Sequence, residues 1–248
     1  MSLSSAWGLA RSLVIYYGQP HKTRMMNRFY SQFIGPGDVC FDVGAHVGNR
    51  VRSWLKLGAR VIAIEPQPQM LGVLHRWYGD NPNVTILPIG LADQPGQLTL
   101  HINTKNPTLT TFSQSWIRGF ESNPDIKAAP WDDTEQVAVT TLDQLISDHG
   151  VPAFCKIDVE GFEDKVLAGL STPLPALSFE AFPLQRDRSI QCVERLMALG
   201  DYRFRTVRAE TFRWVQAGWV DATQIQASIS AQSIAIGSVD IYARLQSL

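Results

Sequence analysis

From residue 38 onward the chain alternates short, β-rich apolar runs with stretches of helical periodicity, the pattern of a parallel sheet covered on both faces. "VCFDV" (39–43) reads as a buried strand and leads into a helix through "NRVRSWLKLG" (49–58), stopped by Gly58. "RVIAIE" (60–65) is the next strand, and Pro68 suits the first turn of a helix running to about Tyr78. "VTILPIGL" (84–91) is a third strand whose end Pro88 makes irregular. After "GQLTLHI" (96–102), a strand or hairpin arm, the alternation fails. Residues 103–135 carry Asn, Thr, Ser, Pro and Trp without a period, which suggests an insertion on the substrate side.

Regular structure returns with "QVAVTTLDQLISDHG" (136–150), where Thr141 and Gln144 have capping-box spacing and Gly150 with Pro152 ends the helix. "AFCKIDV" (153–159) is the fourth core strand, "GFEDKVLAGL" (161–170) its helix and "ALSFEAF" (176–182) the fifth strand. A helix near 189–199 leads to "YRFRTVR" (202–208). "TFRWVQ" (211–216) and "VDIYARL" (239–245) are strand-like and frame a helix in "DATQIQASISAQ" (221–232). The fold class expected is α/β: one doubly wound, mostly parallel domain over residues 38–248 with an antiparallel strand near the C-terminus. Residues 1–37 form a helical extension before it.

Composition narrows the choices. With 248 residues, 45% hydrophobic and 18% charged, the chain can bury a large core without staples. A formal net charge of -1 disfavours general nucleic-acid binding. Three cysteines, two of them within apolar runs, argue against a disulfide framework and fit a reducing compartment, the cytoplasm. No stretch is long enough for a transmembrane span. "SAWGLARSLVIYYG" lacks the n-region and long apolar core of a signal peptide and reads as a helix packed on the domain.

The first strand-to-helix turn carries the chemistry. Asp42-Val43-Gly44-Ala45-His46-Val47-Gly48 is a D-x-G-x-x-x-G pattern, with neither the glycine pair of a dinucleotide loop nor the Gly-Lys-Ser/Thr of a Walker loop. An acid at a strand end repels pyrophosphate and suits an ammonium or sulfonium ligand. S-adenosylmethionine has both, with a carboxylate that backbone N–H groups at the helix start can bind. Glu65, at the end of the next strand, suits a ribose diol, and Pro66 follows it. His46 reads as a loop residue near the cofactor. Downstream, "KIDVEGFEDK" (156–165) brings Lys156 and Asp158 onto one strand face and Glu160 to the following turn, while Glu163 and Lys165 read as the solvated side of a helix. Glu180 can enter from the fifth strand. Three carboxylates, Asp158, Glu160 and Glu180, could orient a hydroxyl, take its proton, or hold a divalent cation. Asp158 is the first choice as base; His101 and His46 are weaker ones. Thr108, Thr110, Thr111 and Ser113 could bind a polyol.

"VCFDVGAHVGNR", "RVIAIEPQP", "VAVTTLDQLI" and "AFCKIDVEGFEDKVLAGL", in this order over residues 38–182, resemble the FkbM family of S-adenosylmethionine-dependent methyltransferases. The resemblance implies a class I methyltransferase fold, S-adenosylmethionine as methyl donor, and O-methylation of a small molecule, sugar or glycan. Carried over by position, Asp42, Gly44 and Gly48 would line the methionine end and Glu65 the ribose; "GLAD", with Leu91, Ala92 and Asp93, would flank the adenine. Two other readings stay open: a methyltransferase acting on nucleic acid or protein, and a non-catalytic module that binds S-adenosylmethionine. The metal requirement and oligomeric state are open at this level.

Overall fold

The computed structural model describes residues 3–17, 20–123, 130–234 and 237–246. In chain order the strands are β1 (Val39–Val43), β2 (Arg60–Ile64), β3 (Val84–Leu87), β4 (Gly90–Leu91) and β5 (Gly96–Ile102). They continue with β6 (Asp133–Thr140), β7 (Phe154–Ile157), β8 (Ala176–Ala181), β9 (Tyr202–Arg208) and β10 (Val239–Leu245). Seven form one sheet in the order β3-β2-β1-β7-β8-β10-β9. The neighbours from β3 to β8 pair in parallel, and β10 lies antiparallel between β8 and β9. This is the doubly wound, mostly parallel α/β architecture expected from the sequence. Strand order reverses between β1 and β7, and ligands enter such sheets beyond the carboxyl ends at that point.

The period of two in the apolar runs sorts side chains to two cores. Phe41, Val43, Ile62 and Ile64 pack on one face with Leu142, Val166 and Leu196. Cys40, Val61 and Ala63 pack on the other with Tyr30, Trp54 and Phe154. Helices α1 (Leu3–Tyr17) and α2 (Pro20–Tyr30) precede the sheet. Met26, Phe29 and Tyr30 of α2 enter the second core, and Leu9, Leu13 and Tyr17 of α1 pack on Val47, Met70 and Val73. The expectation that the N-terminal helix packs on the domain therefore agrees with its contacts. Helices α3 (Asn49–Lys56) and α4 (Pro68–Tyr78) follow β1 and β2.

Three stretches differ from the sequence reading. The run 84–91 is cut at Pro88, which has no N–H for the ladder: β3 stays in the main sheet, and β4 joins a second sheet ordered β4-β6-β5. Residues 103–135 hold a 3-10 turn at Pro107–Leu109 and helix α5 (Gln114–Glu121), besides the start of β6. Ser113 caps α5, its hydroxyl accepting the Trp116 N–H at 3.2 Å, and buried Trp116 and Phe120 anchor it. Residues 124–129 of that segment lie outside the described residues. "TFRWVQ" forms no strand: a 3-10 turn ends at Thr211, Phe212 has φ 50, and Trp214 makes only an isolated bridge to Val207. Helices α6 (Leu142–His149), α7 (Glu163–Ala168), α8 (Arg186–Leu199) and α9 (Ala222–Ser230) complete the chain.

Candidate active site

Asp42 sits one residue from the end of β1, in register with Lys156 of β7. It is 1% exposed, and among the described residues neither carboxylate oxygen has a hydrogen-bond partner. Burial pushes its pKa up to about 6, against the pull of Lys156 and Arg50. The loop after it turns through Gly44 (φ 80), His46 (φ 49) and Gly48 (φ 79). A Cβ on Gly44 would lie 1.9 Å from the Asp158 carbonyl oxygen, so the two loops can meet only at a glycine. Glu65 ties the first loop down: its carboxylate accepts the His46 N–H at 2.7 Å and the Gln67 N–H at 2.8 Å. Burial holds Glu65 up at about 7, although both bonds favour its ionised form. His46 is half-buried, and burial depresses its imidazole to about 4, which keeps it neutral.

These two loops bound a cavity of about 540 Å³ lined by Gly44, His46, Glu65, Pro66, Asp158 and Glu160, with Thr108, Thr110 and Thr111 contributed by the 103–135 segment. Asp42, Ala45 and Gly48 do not line it. Leu91 and Ala92 are buried away from this lining, and Asp93 is at the surface, 3.1 Å from Lys165. His101 and Ser113 do not line it either: His101 pairs through its backbone with Thr111, and Ser113 caps α5.

The second loop is held by side chains on all sides. Glu160 has φ 54 and Gly161 φ 82. The Thr111 hydroxyl donates to the Glu160 carbonyl at 2.7 Å, and Arg188 donates to the Gly161 carbonyl at 2.9 Å. Glu163 was expected on a solvated helix face; instead it is 7% exposed and accepts the N–H groups of Val159 at 3.0 Å and Gly161 at 3.3 Å. A short helix that starts inside a tight turn needs an acceptor for these amides, and that demand overrides the usual exposure of Glu.

Asp158 pairs with the Lys156 ammonium at 2.5 Å, which keeps it below its ordinary pKa despite burial. Glu160 and Glu180 are the opposite: burial and neighbouring carboxylates push both well above the ordinary value. One oxygen from each of Asp158, Glu160 and Glu180 falls within 4.8 Å of the others, a spacing that could hold a cation or share protons. The three face a further cavity of about 770 Å³, which shares Thr108, Asp158 and Glu160 with the first. Its other walls include Trp116, Phe182, Asp240 and the Arg50–Glu210 ion pair at 2.7 Å. Sequence reasoning missed these residues because they come from elements far apart in the chain. The aromatic content of the aperiodic segment was the one signal that pointed to a wall.

The family described as "Methyltransferase FkbM domain" matches residues 42–204, more than half of the chain. The chain belongs to the FkbM methyltransferase family. No curated relative matches it. Among solved structures it is similar to precorrin-6y C5,15-methyltransferase from Geobacter metallireducens, at 14% identity over 90% of this chain and 87% of that one, with a TM-score of 0.44. Similar too are an S-adenosylmethionine-dependent O-methyltransferase from Thermotoga maritima (12%, 95% and 71%, TM-score 0.41) and Aeropyrum pernix fibrillarin with bound S-adenosylmethionine (9%, 85% and 68%, TM-score 0.43).

The residues of this FkbM methyltransferase fit the methyl donor of its family. A buried carboxylate with no hydrogen-bond partner among the described residues, Asp42, is complementary to a cationic amino-acid end. Glu65, already fixed by two backbone amides, keeps lone pairs for a ribose diol. Gly44 presents bare backbone to the cavity that would take the donor.

Proposed function

We propose that this FkbM methyltransferase transfers the methyl group of S-adenosylmethionine to a hydroxyl oxygen of a small molecule, sugar or glycan, with Glu160 taking the hydroxyl proton. The observation that carries this reading is the join between the two cavities: Thr108, Asp158 and Glu160 line both, so donor and acceptor would meet at those side chains. When bound, S-adenosylmethionine supplies a methyl group on a sulfonium, whose departure leaves a neutral thioether. Asp42 balances the ammonium end, Glu65 accepts from the ribose, and the backbone of Gly44, Ala45 and Gly48 with His46 and Pro66 shapes the bed. Leu91, Ala92 and Asp93 stay proposed for the adenine end by their position after β3.

Asp158, held ionised by Lys156, is suited to accept a hydrogen bond from the acceptor hydroxyl and aim it. Glu160 has a raised pKa and is therefore the stronger base of the two once ionised. Glu180 keeps it raised. As the oxygen–carbon bond forms, the hydroxyl proton passes to the Glu160 carboxylate. The spacing of the three carboxylates favours a second reading, in which a divalent cation there acidifies the hydroxyl. Loss of activity in EDTA and its return with magnesium or manganese would favour the cation.

Formal net charge -1 gives little attraction for nucleic acid. Among the described residues no helix is long and apolar enough to cross a membrane. The three buried free cysteines suit a reducing compartment such as the cytoplasm. The test has two parts. Asp42→Ala and Glu65→Ala should each weaken S-adenosylmethionine binding at least tenfold, about 1.4 kcal/mol, with circular dichroism unchanged; normal affinity in both would overturn the pocket. Radiolabelled methyl transfer to a panel of hydroxyl compounds, RNA and protein then decides the acceptor, and label in RNA or protein alone would overturn a small-molecule, sugar or glycan acceptor.

A further inference from the structure

Behind the first loop, where α1 and α2 meet the start of α3, lies a smaller cavity of about 380 Å³ floored by Met26 of the core and otherwise lined by Tyr17, Lys22, Thr23, Asn49, Arg52 and Glu210. None of these residues lines the cofactor cavity. The lining is rich in donors. Asn49 is 8% exposed, and among the described residues its amide nitrogen has no hydrogen-bond partner. A buried donor left unpaired calls for an acceptor that arrives from outside. Among the described residues neither Lys22 nor Arg52 takes part in an ion pair. Arg52 lies over the Tyr17 ring, 5.5 Å from its centroid, which restricts where its guanidinium can go. The one acid of the lining, Glu210, is engaged by Arg50 at 2.7 Å. The N-cap of α3 is Gly48, which has no side chain to cap the helix, so its positive end adds the same sign.

We propose that this cavity is a binding site for one compact oxyanion, a carboxylate or a phosphate group. A cation would meet Lys22 and Arg52, and an apolar group would leave Asn49 unpaired. Two sources share this chemistry. Glu210 also lines the acceptor cavity, so a phosphate carried by the acceptor could reach past it. The Tyr17 hydroxyl donates to the Val47 carbonyl at 2.9 Å, so the cavity abuts the first loop, and the carboxylate of the cofactor's amino-acid end is the second candidate source. The second source rests on the function proposed above; the first does not.

The test uses the full chain with inorganic phosphate, S-adenosylhomocysteine and 5′-methylthioadenosine, which lacks the amino-acid end. The variants are Lys22→Gln, Arg52→Gln, both together, and Lys56→Gln, an exposed cation at the other end of α3, as the control. Phosphate binding that falls at least tenfold in the double variant and stays unchanged in the control, with S-adenosylhomocysteine unaffected, supports the site and assigns it to a phosphate. A tenfold loss of S-adenosylhomocysteine affinity with 5′-methylthioadenosine unchanged supports it as the seat of the cofactor's carboxylate. If neither phosphate nor S-adenosylhomocysteine affinity moves in the folded double variant, the proposal is overturned. Equal loss of both nucleosides without a phosphate effect overturns it too, as general damage to the cofactor cavity. Failure of the wild type to bind either nucleoside would sink the methyl-donor reading alone, leaving the phosphate titration to decide the anion site.

Discussion

A single carbonyl decides how much Gly44 matters. The Asp158 oxygen would stand 1.9 Å from a Cβ at that position, and φ is 80. Gly44→Ala therefore incurs both left-handed strain, about 1–2 kcal/mol, and a backbone clash. It should weaken S-adenosylhomocysteine binding by more than tenfold in calorimetry while the rest of the fold persists; unaltered affinity would mean that the loops need not touch. Glu160 gives a second prediction. Its carboxylate must be ionised to take a proton, and burial with Glu180 holds its pKa high. The rate of methyl transfer should thus rise with pH through a value above the ordinary carboxylate range. Glu180→Gln removes one neighbouring charge, lowers the Glu160 pKa and should move the rising limb to lower pH. A limb that stays in place would remove Glu160 as base.

At the scale of elements, the 103–135 segment and the β7–α7 loop act as one wall, joined by the Thr111 hydroxyl on the Glu160 carbonyl at 2.7 Å. Thr111→Val leaves that carbonyl unpaired and should cost about 1–3 kcal/mol in urea denaturation; Thr111→Ser, which keeps the hydroxyl, should recover most of it. An equal loss in both variants would point to packing instead. The core strands and their two-faced burial were legible because apolar residues at period two are a local property, and so was the placement of Asp42 and Glu65 at the ends of β1 and β2 with a glycine turn between. Glu163 was not legible. Its role depends on amides in a turn whose shape is set by Thr111 and Arg188 from distant elements. α5 escaped for a related reason: eight residues show too little periodicity, and Ser113 with buried Trp116 and Phe120 defines it only in place. The aromatic and ionic wall of the acceptor cavity is likewise a product of β9 and β10 folding back beside β8.

For the whole molecule, the carboxyl edge of the sheet concentrates buried acids, and this sets how stability follows pH. Burial raises Asp42 to about 6, and Glu65, Glu163 and Asp240 to about 7. A folded pKa above the unfolded one means that the folded state holds the extra proton. Stability from these groups is complete below their ordinary values and is lost as pH rises through about 6 to 7. His46, lowered to about 4, works the other way, but only up to its ordinary value of 6.5. Four carboxylates outweigh one imidazole, so the melting temperature of the ligand-free protein should fall by several degrees between about pH 5 and pH 8. Glu163→Gln keeps an acceptor oxygen for the Val159 and Gly161 amides and removes one titration, so its decline should be shallower. A cofactor whose ammonium lies near Asp42 favours the ionised carboxylate. Saturating S-adenosylhomocysteine should then flatten the decline, and its affinity should increase as pH is raised through about 6, an increase that Asp42→Asn abolishes. Differential scanning calorimetry across that pH range, with and without the ligand, reads both effects. A melting temperature that rises with pH in the free protein would show that these acids are already paired.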